Sequence, residues 1–436
     1  MNVLTLNPND VLFFRDGRPM EGASSGAGAA WPMPNVISAA FHAALHRAEI
    51  ADVHEHRRGR SSDRSSEKRE KKFGGLVTIG PFPVSADGGT WLFPRPADAS
   101  KPGSPATTEH PRLEGGAPCS LSSTAEFPLH PVVSTIPPSK DALEPWLDQD
   151  AYSAYLSGDS VGGSFETDDR IFGAEHQIGI GIDSDTGTVE KGKFYSAQYL
   201  RLKNDWQIGV LAQSLDKIDR DPNNQRDLIS ELLDDEQHIL VGGQQRVCSV
   251  GRMGEQTSLP LPIGTAISGT RVRWTLLTPA VFPHIPANSG SNVPDHPGGW
   301  LPTWIDLQGN VQLLDGPGKN KAKRMRPPCE PGQPIRAKLV AASVPKAQPI
   351  SGWALGTDEE TDTGARALHL AVPAGAVFYF EADDEAHAQK LAEALNWHGS
   401  DDKSSKIQNR RSTLFGEKGF GLGVCSTWSP LNPTKS

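Results

Sequence analysis

A repeated order of elements constrains the fold of this chain more than any other feature of its sequence. Near the C-terminus, the β-branched and aromatic run Ala376–Phe380 is typical of a strand. In the next segment, Asp384–Trp397, apolar residues recur at spacings of three and four, which places them on one face of a helix. A glycine-rich turn that leads into a strand, Gly416–Val424, follows a polar link. A helix with one apolar face must bury it, and the flanking strands provide the partner sheet.

The same order occurs once more in the middle of the chain. Asp227–Glu236 has its apolar residues on one helical face, and Val241–Cys248 places two glycines before a strand. Upstream, Asn2–Leu6, Leu76–Phe82 and Lys193–Leu202 are predicted strands, and residues 35–47 are a predicted helix. The first half therefore has the order βαββαβ, the split βαβ arrangement.

We therefore predict an α+β protein that consists of two ferredoxin-like (RRM-like, βαββαβ) domains with glycine-rich loops and long loop insertions. The predicted domains are residues 1–255 and 266–436, and a chain of 436 residues is long enough for two cores. In the second domain, Thr270–Leu277 and Lys338–Val344 supply further strands. The first helix of that domain is not visible in the sequence.

Composition narrows the class of protein. The sequence has no run of about 18 apolar residues and no charged leader before its first strand, so we expect a soluble protein of the cytoplasm with no membrane partner. Its four cysteines are far apart and form no C-x-x-C pair, which argues against a zinc knuckle or a disulfide framework. We expect no metal and no other cofactor.

The charge pattern indicates a limited contact with nucleic acid. A net charge of -9 has the wrong sign for a protein that coats nucleic acid indiscriminately. Basic residues are nevertheless clustered in residues 55–72, here called the basic insertion, and in residues 319–326 and 403–418. An acidic body with basic strips suits a protein that grips one short nucleic-acid segment and is otherwise held by protein partners. The alternative for each strip is a solvated loop.

A tight loop after the second apolar run displays two arginines. Asp16 and Gly17 form a turn dipeptide between Arg15 and Arg18, and Pro19 prevents a helix from continuing through Arg18. The planar guanidinium fork suits phosphate, so this loop is a candidate RNA contact. The alternative is that Asp16 pairs with one of the arginines and closes the turn.

Both glycine-rich loops are further candidates, because exposed backbone N–H groups can bind phosphate where no side chain blocks the approach. The alternative is that the glycines only permit a tight turn from helix to strand. The sequence leaves Gly242 and Gly243 open between these two interpretations, and it favours RNA for the second loop because Lys418 adds charge. The candidate RNA-binding residues of the two loops are Gly242, Gly243, Arg246, Gly416, Lys418, Gly419, Gly421 and Gly423.

Several collinear segments together resemble one family, the Cmr-type (type III-B) CRISPR effector subunit of the RAMP superfamily that caps the complex at the 5′ end of the guide RNA. The segments span nearly the whole chain and are Phe14–Pro19, Glu175 with Ile178–Ile180, Phe194–Ser196, Gly242–Arg246, Thr278–Phe282, Gly299–Pro302, Gly352–Trp353 and Val372–Phe380. The sequence departs from the family pattern at Met20, where an aromatic is usual, at Gln245, where glycine is common, and in the basic insertion.

The resemblance implies a non-catalytic RNA-binding scaffold subunit. It would grip the 5′ repeat-derived handle of the guide RNA and dock the large polymerase-type subunit beside the backbone RAMP subunits of the same complex. The alternative is a metal-independent endoribonuclease that processes precursor guide RNA. In that case His42 or His46, one helical turn apart, would act as general acid or base, and Lys418 would steady the developing charge.

Overall fold

The computed structural model describes most of the chain. The described residues are 1–14, 25–26, 31–48, 50, 57–58, 71–72, 75–99, 107–113, 127–137, 143–159, 163–183, 185–217, 225–235, 237–254, 257–287, 294–323, 325, 327–354, 364–400 and 404–431. The Arg15–Arg18 loop, Met20 and nearly all of the basic insertion lie outside the described residues.

Most neighbouring strands before residue 255 pair in the antiparallel direction. They are β1 Asn2–Pro8, β2 Ser25–Gly26, β3 Arg57–Arg58, β4 Lys71–Lys72, β5 Leu76–Ser85, β6 Leu92–Pro94, β7 Glu109–Pro111, β8 Val132–Ser134, β9 Trp146–Asp148, β10 Phe165–Glu166, β11 Phe172–Ile182, β12 Val189–Leu202, β13 Trp206–Lys217, β14 Gln225–Asp227, β15 His238–Leu240 and β16 Val247–Arg252. The later strands are β17 Arg271–Leu276, β18 Ala337–Ser343, β19 Gln348–Ile350, β20 Trp353–Ala354, β21 Gly364–Ala365, β22 His369–Ala371, β23 Val377–Ala382 and β24 Gly423–Thr427.

The α helices of the described residues are few and mostly short. They are α1 Pro34–Arg47, α2 Gln149–Ser157, α3 Asp168–Ile171, α4 Leu228–Asp235, α5 Lys319–Ala322 and α6 Glu385–Leu395. The chain is thus a mixed α/β protein with antiparallel main sheets, and no helix of the described residues is long and apolar enough to cross a membrane.

The first main sheet brings together strands that are far apart in the sequence. Its order is β15-β16-β1-β13, and β13 pairs with β5 along most of its length and with β14 at its end. All these neighbours are antiparallel; for example, Leu4 lies between Val210 of β13 and Arg252 of β16. Helices α1 and α4 cover one face, where Phe41, Leu45 and Leu232 join the core.

The strand next to the centre of this sheet was missed by the sequence analysis. Trp206–Lys217 forms β13, whereas the predicted strand Lys193–Leu202 pairs with β11 in a separate sheet and does not join the first. Val210, Leu211 and Ala212 are all fully buried, so both faces of β13 are covered and the alternation that identifies a half-buried strand is absent. Gly209 lies in the strand because Val84 and Trp91 leave no space for a side chain.

The second main sheet has the order β18-β23-β17-β24, with every neighbour antiparallel. Helix α6 packs on it and buries Leu391 and Leu395 against Trp274 and Phe378. Asp384 caps this helix by accepting a hydrogen bond from the backbone N–H of His387 at 2.8 Å. Between β17 and β18, the described residues contain only the four-residue α5, where a βαββαβ domain would place its first helix.

A third apolar cluster joins the two sheets. Val3 and Leu211, on the face of the first sheet that points away from its helices, pack with Leu277, Trp397 and Leu422 of the second half. The two halves therefore share a core, and the predicted boundary between residues 255 and 266 stays a prediction.

A buried ionic network also joins the two halves. Asp98 is fully buried and accepts hydrogen bonds from the hydroxyls of Tyr155 (2.7 Å) and Tyr379 (2.8 Å) and from the guanidinium of Arg273 (3.2 Å). Arg273, in β17, also donates to the Tyr155 carbonyl and to Ser426 Oγ. These hydrogen bonds hold Asp98 and helix α2 against strands β17 and β23 of the second main sheet.

The predicted strand at 193–202 pairs with the segment at 178–182, and together they form the hairpin β11–β12 outside the main sheets. Ile178, Ile180 and Ile182 lie on one face of β11 and are exposed, Ile178 at 70%. Strand β12 returns to the body of the protein, where Tyr199 and Leu200 are buried. The end of this strand borders the candidate site.

Candidate nucleic-acid interface

The loop between β15 and β16 has an unusual backbone. A hydrogen bond from the Val241 N–H to the Arg246 carbonyl (2.8 Å) closes it. Within it, Gly242, Gln244 and Gln245 have φ angles of 76°, 56° and 53°, the left-handed region that non-glycine residues rarely adopt. Among the described residues, no partner accepts a hydrogen bond from the backbone N–H of Gly242, Gln244 or Gln245. Successive unpaired N–H groups in such a turn form a concavity that binds anions.

The two glycines of this loop allow it to lie on the segment that precedes the Arg15–Arg18 loop. The Gly243 N–H donates to the Phe13 carbonyl at 2.9 Å. A Cβ at Gly242 would lie 2.6 Å from that carbonyl, and a Cβ at Gly243 would lie 2.8 Å from the Phe13 ring. The glycines therefore do permit a close approach, as the turn interpretation requires. The same approach brings the turn against Phe13 and Phe14, which precede the Arg15–Arg18 segment in the sequence.

Arg246 lies beside these N–H groups and is held in place by neighbouring side chains. Its guanidinium carbon is 5.0 Å from the centroid of the Tyr199 ring, and the Phe13 ring packs on Tyr199 at 5.3 Å. The Gln244 side-chain oxygen accepts hydrogen bonds from the Tyr199 hydroxyl (2.7 Å) and from Arg246 (3.3 Å). Arg246 was predicted from the sequence, whereas the residues that support it, Tyr199 and Gln244, were not.

An ionic cluster continues the site along β12. Asp10 pairs with Arg201 at 2.9 Å and with Arg246 at 3.5 Å, and Arg201 also pairs with Glu175 of β11. The hydrogen bond from Arg201 lowers the pKa of the Glu175 carboxyl, so this acid stays ionised. A polar cavity of about 180 Å³ that includes Asn7, Asp10, Arg201 and Lys203 among its lining residues adjoins the cluster. Asp10 thus neutralises part of the positive charge of Arg201 and Arg246.

The second predicted RNA loop is packed differently. Gly419, Gly421 and Gly423 are buried, and a Cβ at Gly419 would lie 2.6 Å from the Thr78 carbonyl of β5. The Gly421 N–H donates to the Pro279 carbonyl (2.7 Å), and the Gly419 N–H donates to Gly416 (3.1 Å). These N–H groups are engaged within the protein and are not available to a phosphate. Close packing accounts for the burial of these three glycines, and RNA contact stays a prediction for the loop, in which Gly416 and Lys418 are half-buried.

The surroundings of Lys418 are aromatic. Its ammonium nitrogen lies 5.1 Å from the centroid of the Phe415 ring, which also packs on Phe420 and on His369. Phe415 has a φ of 61° and precedes the short 3-10 helix Gly416–Lys418. Burial lowers the pKa of the His369 imidazole, which favours its neutral form.

The candidate residues of the endoribonuclease alternative lie on α1. The rings of His42 and His46 pack edge to face with their centroids 4.6 Å apart. Among the described residues, no group of three or more His, Cys, Asp or Glu side chains could hold a metal ion.

Comparison with known proteins identifies the family. The model of the CRISPR-associated protein family Cas_Cmr3 matches residues 4–428. A comparison with curated proteins finds no match. Among solved structures, a chain of the type III-B Cmr-beta complex bound to cognate target RNA is 14% identical, with a TM-score of 0.38 and 86% of each chain covered. A chain of the same complex bound to cognate target RNA and AMPPnP, in state 1, is 15% identical, with the same TM-score and coverage. Because the family model spans nearly the whole sequence, the chain belongs to the Cas_Cmr3 family of CRISPR-associated proteins, as its resemblance to Cmr-type effector subunits predicted.

Proposed function

We propose that this type III-B effector subunit is a non-catalytic RNA-binding scaffold that grips the 5′ repeat-derived handle of the guide RNA. One observation carries the proposal: in the loop Val241–Arg246, backbone N–H groups with no acceptor among the described residues lie beside a positioned arginine. N–H groups and guanidinium together bind the phosphates of a single strand without reading its sequence. The Arg15–Arg18 loop, which follows directly on Phe14, would add two guanidinium groups to the same surface.

The architecture supports this role. In the second main sheet β17 lies between β23 and β24, and β18 lies outside β23. In the first main sheet β1 lies between β13 and β16, and β5 pairs with β13 on the side away from β1. This order matches a split βαβ arrangement in both halves, so ferredoxin-like domains are part of the proposal. The glycine loop of the first half lies between the second helix and the last strand of that arrangement.

The scaffold role also requires protein partners, which we propose to be the large polymerase-type subunit and the backbone RAMP subunits of the same complex. The net charge of -9 supports this part of the proposal, because an acidic body gains little from unspecific contact with RNA and depends on other subunits for its place. The Cmr-beta structures that the chain resembles are complexes bound to target RNA.

The proposal is tested by RNA binding at several salt concentrations. Arg246→Gln should weaken binding of a single-stranded handle RNA, because a lost charged hydrogen bond costs about 1.5–3 kcal/mol. It should also reduce the slope of log K against log salt by about 0.7, the value for one phosphate contact on a single strand.

The matched control is Arg252→Gln. Arg252 is the last residue of β16, the strand that follows the loop. Arg252 is exposed and pairs with Asp234 at 2.8 Å, outside the candidate site. Equal losses of affinity in the two variants would refute the assignment of the loop to RNA, as would an unchanged affinity in Arg246→Gln.

A further inference from the structure

Two glutamines occupy backbone positions that glycine would occupy without strain. Gln244 and Gln245 have φ angles of 56° and 53°, and both side chains are exposed. Left-handed backbone is unfavourable for residues with a Cβ, and strain of this kind persists where the surroundings or the function maintain it. The side chains of these two residues therefore need an explanation.

The structure explains the first glutamine. The Gln244 oxygen accepts from Tyr199 and from Arg246, so this side chain fixes the position of the arginine. Tyr199 itself is only 5% exposed and lies between the Phe13 ring and the Arg246 guanidinium. It cannot serve as a platform on which a base stacks.

For the second glutamine, Gln245, the described residues show no such role. Among the described residues, none forms a hydrogen bond with the Gln245 side chain. Its side chain is exposed, and it belongs to the turn whose N–H groups have no acceptor among the described residues and would hold a phosphate. A carboxamide presents one donor and one acceptor side by side, the pattern that pairs with N6 and N7 of adenine.

We propose that Gln245 recognises an adenine base of the single-stranded RNA whose phosphate the loop binds. Gln244 is then a positioning residue that acts through Arg246, whereas Gln245 contacts the base. Single-stranded RNA suits this arrangement because unstacked bases expose their edges to side chains. The inference depends on the proposed function and adds base specificity to it.

The test compares Gln245→Gly with the wild-type protein. Glycine accepts the left-handed φ, so the variant removes the carboxamide while relieving strain, and its thermal stability should not fall. The probes are oligoadenylate, oligouridylate of equal length, and an oligomer of purine riboside, which lacks the N6 amino group.

We expect the wild-type protein to bind oligoadenylate more tightly than the purine riboside oligomer, and Gln245→Gly to bind both equally. A bidentate contact to a base discriminates against the wrong base by roughly 5- to 150-fold in affinity. The affinity of Gln245→Gly for oligoadenylate should therefore fall by a factor in that range. Affinity for oligouridylate should be unchanged, because the backbone N–H groups remain.

Gln244→Gly is the matched variant, since it also relieves a left-handed backbone. It should weaken binding of all three probes by similar factors, because Arg246 loses a support. The inference on Gln245 is refuted if Gln245→Gly keeps the wild-type discrimination between oligoadenylate and purine riboside, or if it weakens all probes alike. If the wild-type protein and its assembled complex bind none of the three RNAs, the proposed function fails, which is a distinct result.

Discussion

The buried ion pair between Asp98 and Arg273 makes the connection between the two halves sensitive to a single substitution. The Asp98 side chain is fully buried and that of Arg273 is 5% exposed. Burial acts to lower the pKa of the Arg273 guanidinium, but Tyr155, Asp98 and Tyr379 outweigh it and raise the pKa. Arg273 is therefore a buried cation whose charge depends on Asp98 for compensation. We predict that Asp98→Ala strongly destabilises the protein.

The size of the expected loss of stability follows from the groups that Asp98→Ala leaves without a partner. Removing one member of a buried ion pair costs about 3–5 kcal/mol, because the remaining charge has no partner. The hydroxyls of Tyr155 and Tyr379 also lose Asp98 as their acceptor. We therefore expect the loss of stability to lie in the upper part of that range. A stability of about 5–15 kcal/mol is typical of folded proteins, so the loss is a large fraction of the total.

Urea unfolding monitored by tryptophan fluorescence measures the effect. Tyr379→Phe is the matched control, because it removes one hydrogen bond to a charged group and should cost only about 1.5–3 kcal/mol. The double variant Asp98→Ala with Arg273→Met should be more stable than the sum of the two single losses predicts, since it leaves no unpaired charge. A loss below about 1 kcal/mol in Asp98→Ala, or strict additivity in the double variant, would refute this account of the network.

The remaining predictions concern RNA contact, catalysis and pH. The double variant Arg15→Ala with Arg18→Ala should weaken handle binding by about 1.5–3 kcal/mol for each charged hydrogen bond lost, while circular dichroism shows a folded protein; unchanged protection of the handle would contradict this. Replacing His42 and His46 together by Ala should leave precursor RNA uncut in the presence of chelator, as in the wild type, and a defined cut made only by the wild type would favour the endoribonuclease. Deleting residues 55–73, which are the basic insertion and Phe73, should flatten the slope of log K against log salt by about one to three units without changing sequence preference; identical slopes would make the insertion a solvated loop. Burial raises the pKa of Cys248 to about 12 from its ordinary value of 9.0. The unfolded state therefore loses this proton first, and the wild type should lose more stability than Cys248→Ala as the pH rises from 9 towards 12.

The sequence predicted those elements whose pattern is local. The apolar spacing of α6 and the run at β23 depend on neighbouring residues only, and both elements occur where expected. Strand β13 was missed because its burial on both faces removes the alternation that marks a strand. Helix α2 was missed for a related reason: its short run lies beside a stretch rich in Pro, Ser and Gly, and its burial depends on distant partners such as Phe93. Information on burial by distant segments is not contained in a local pattern.

The two glycine loops show the same limit at the level of function. Both sequences place glycines between a helix and a strand, and the sequence favoured RNA for the second loop on the strength of Lys418. The structure separates them by a property that composition does not record, namely the pairing of the backbone N–H groups. In the second loop those of Gly419 and Gly421 are donated to carbonyls of the protein, whereas in the first loop those of Gln244 and Gln245 have no partner among the described residues. A glycine that is required for close packing and a glycine that exposes a donor are identical in sequence, and only the acceptor opposite the N–H distinguishes them. The first loop is therefore the better candidate for phosphate binding, even though its glycines also pack closely on Phe13.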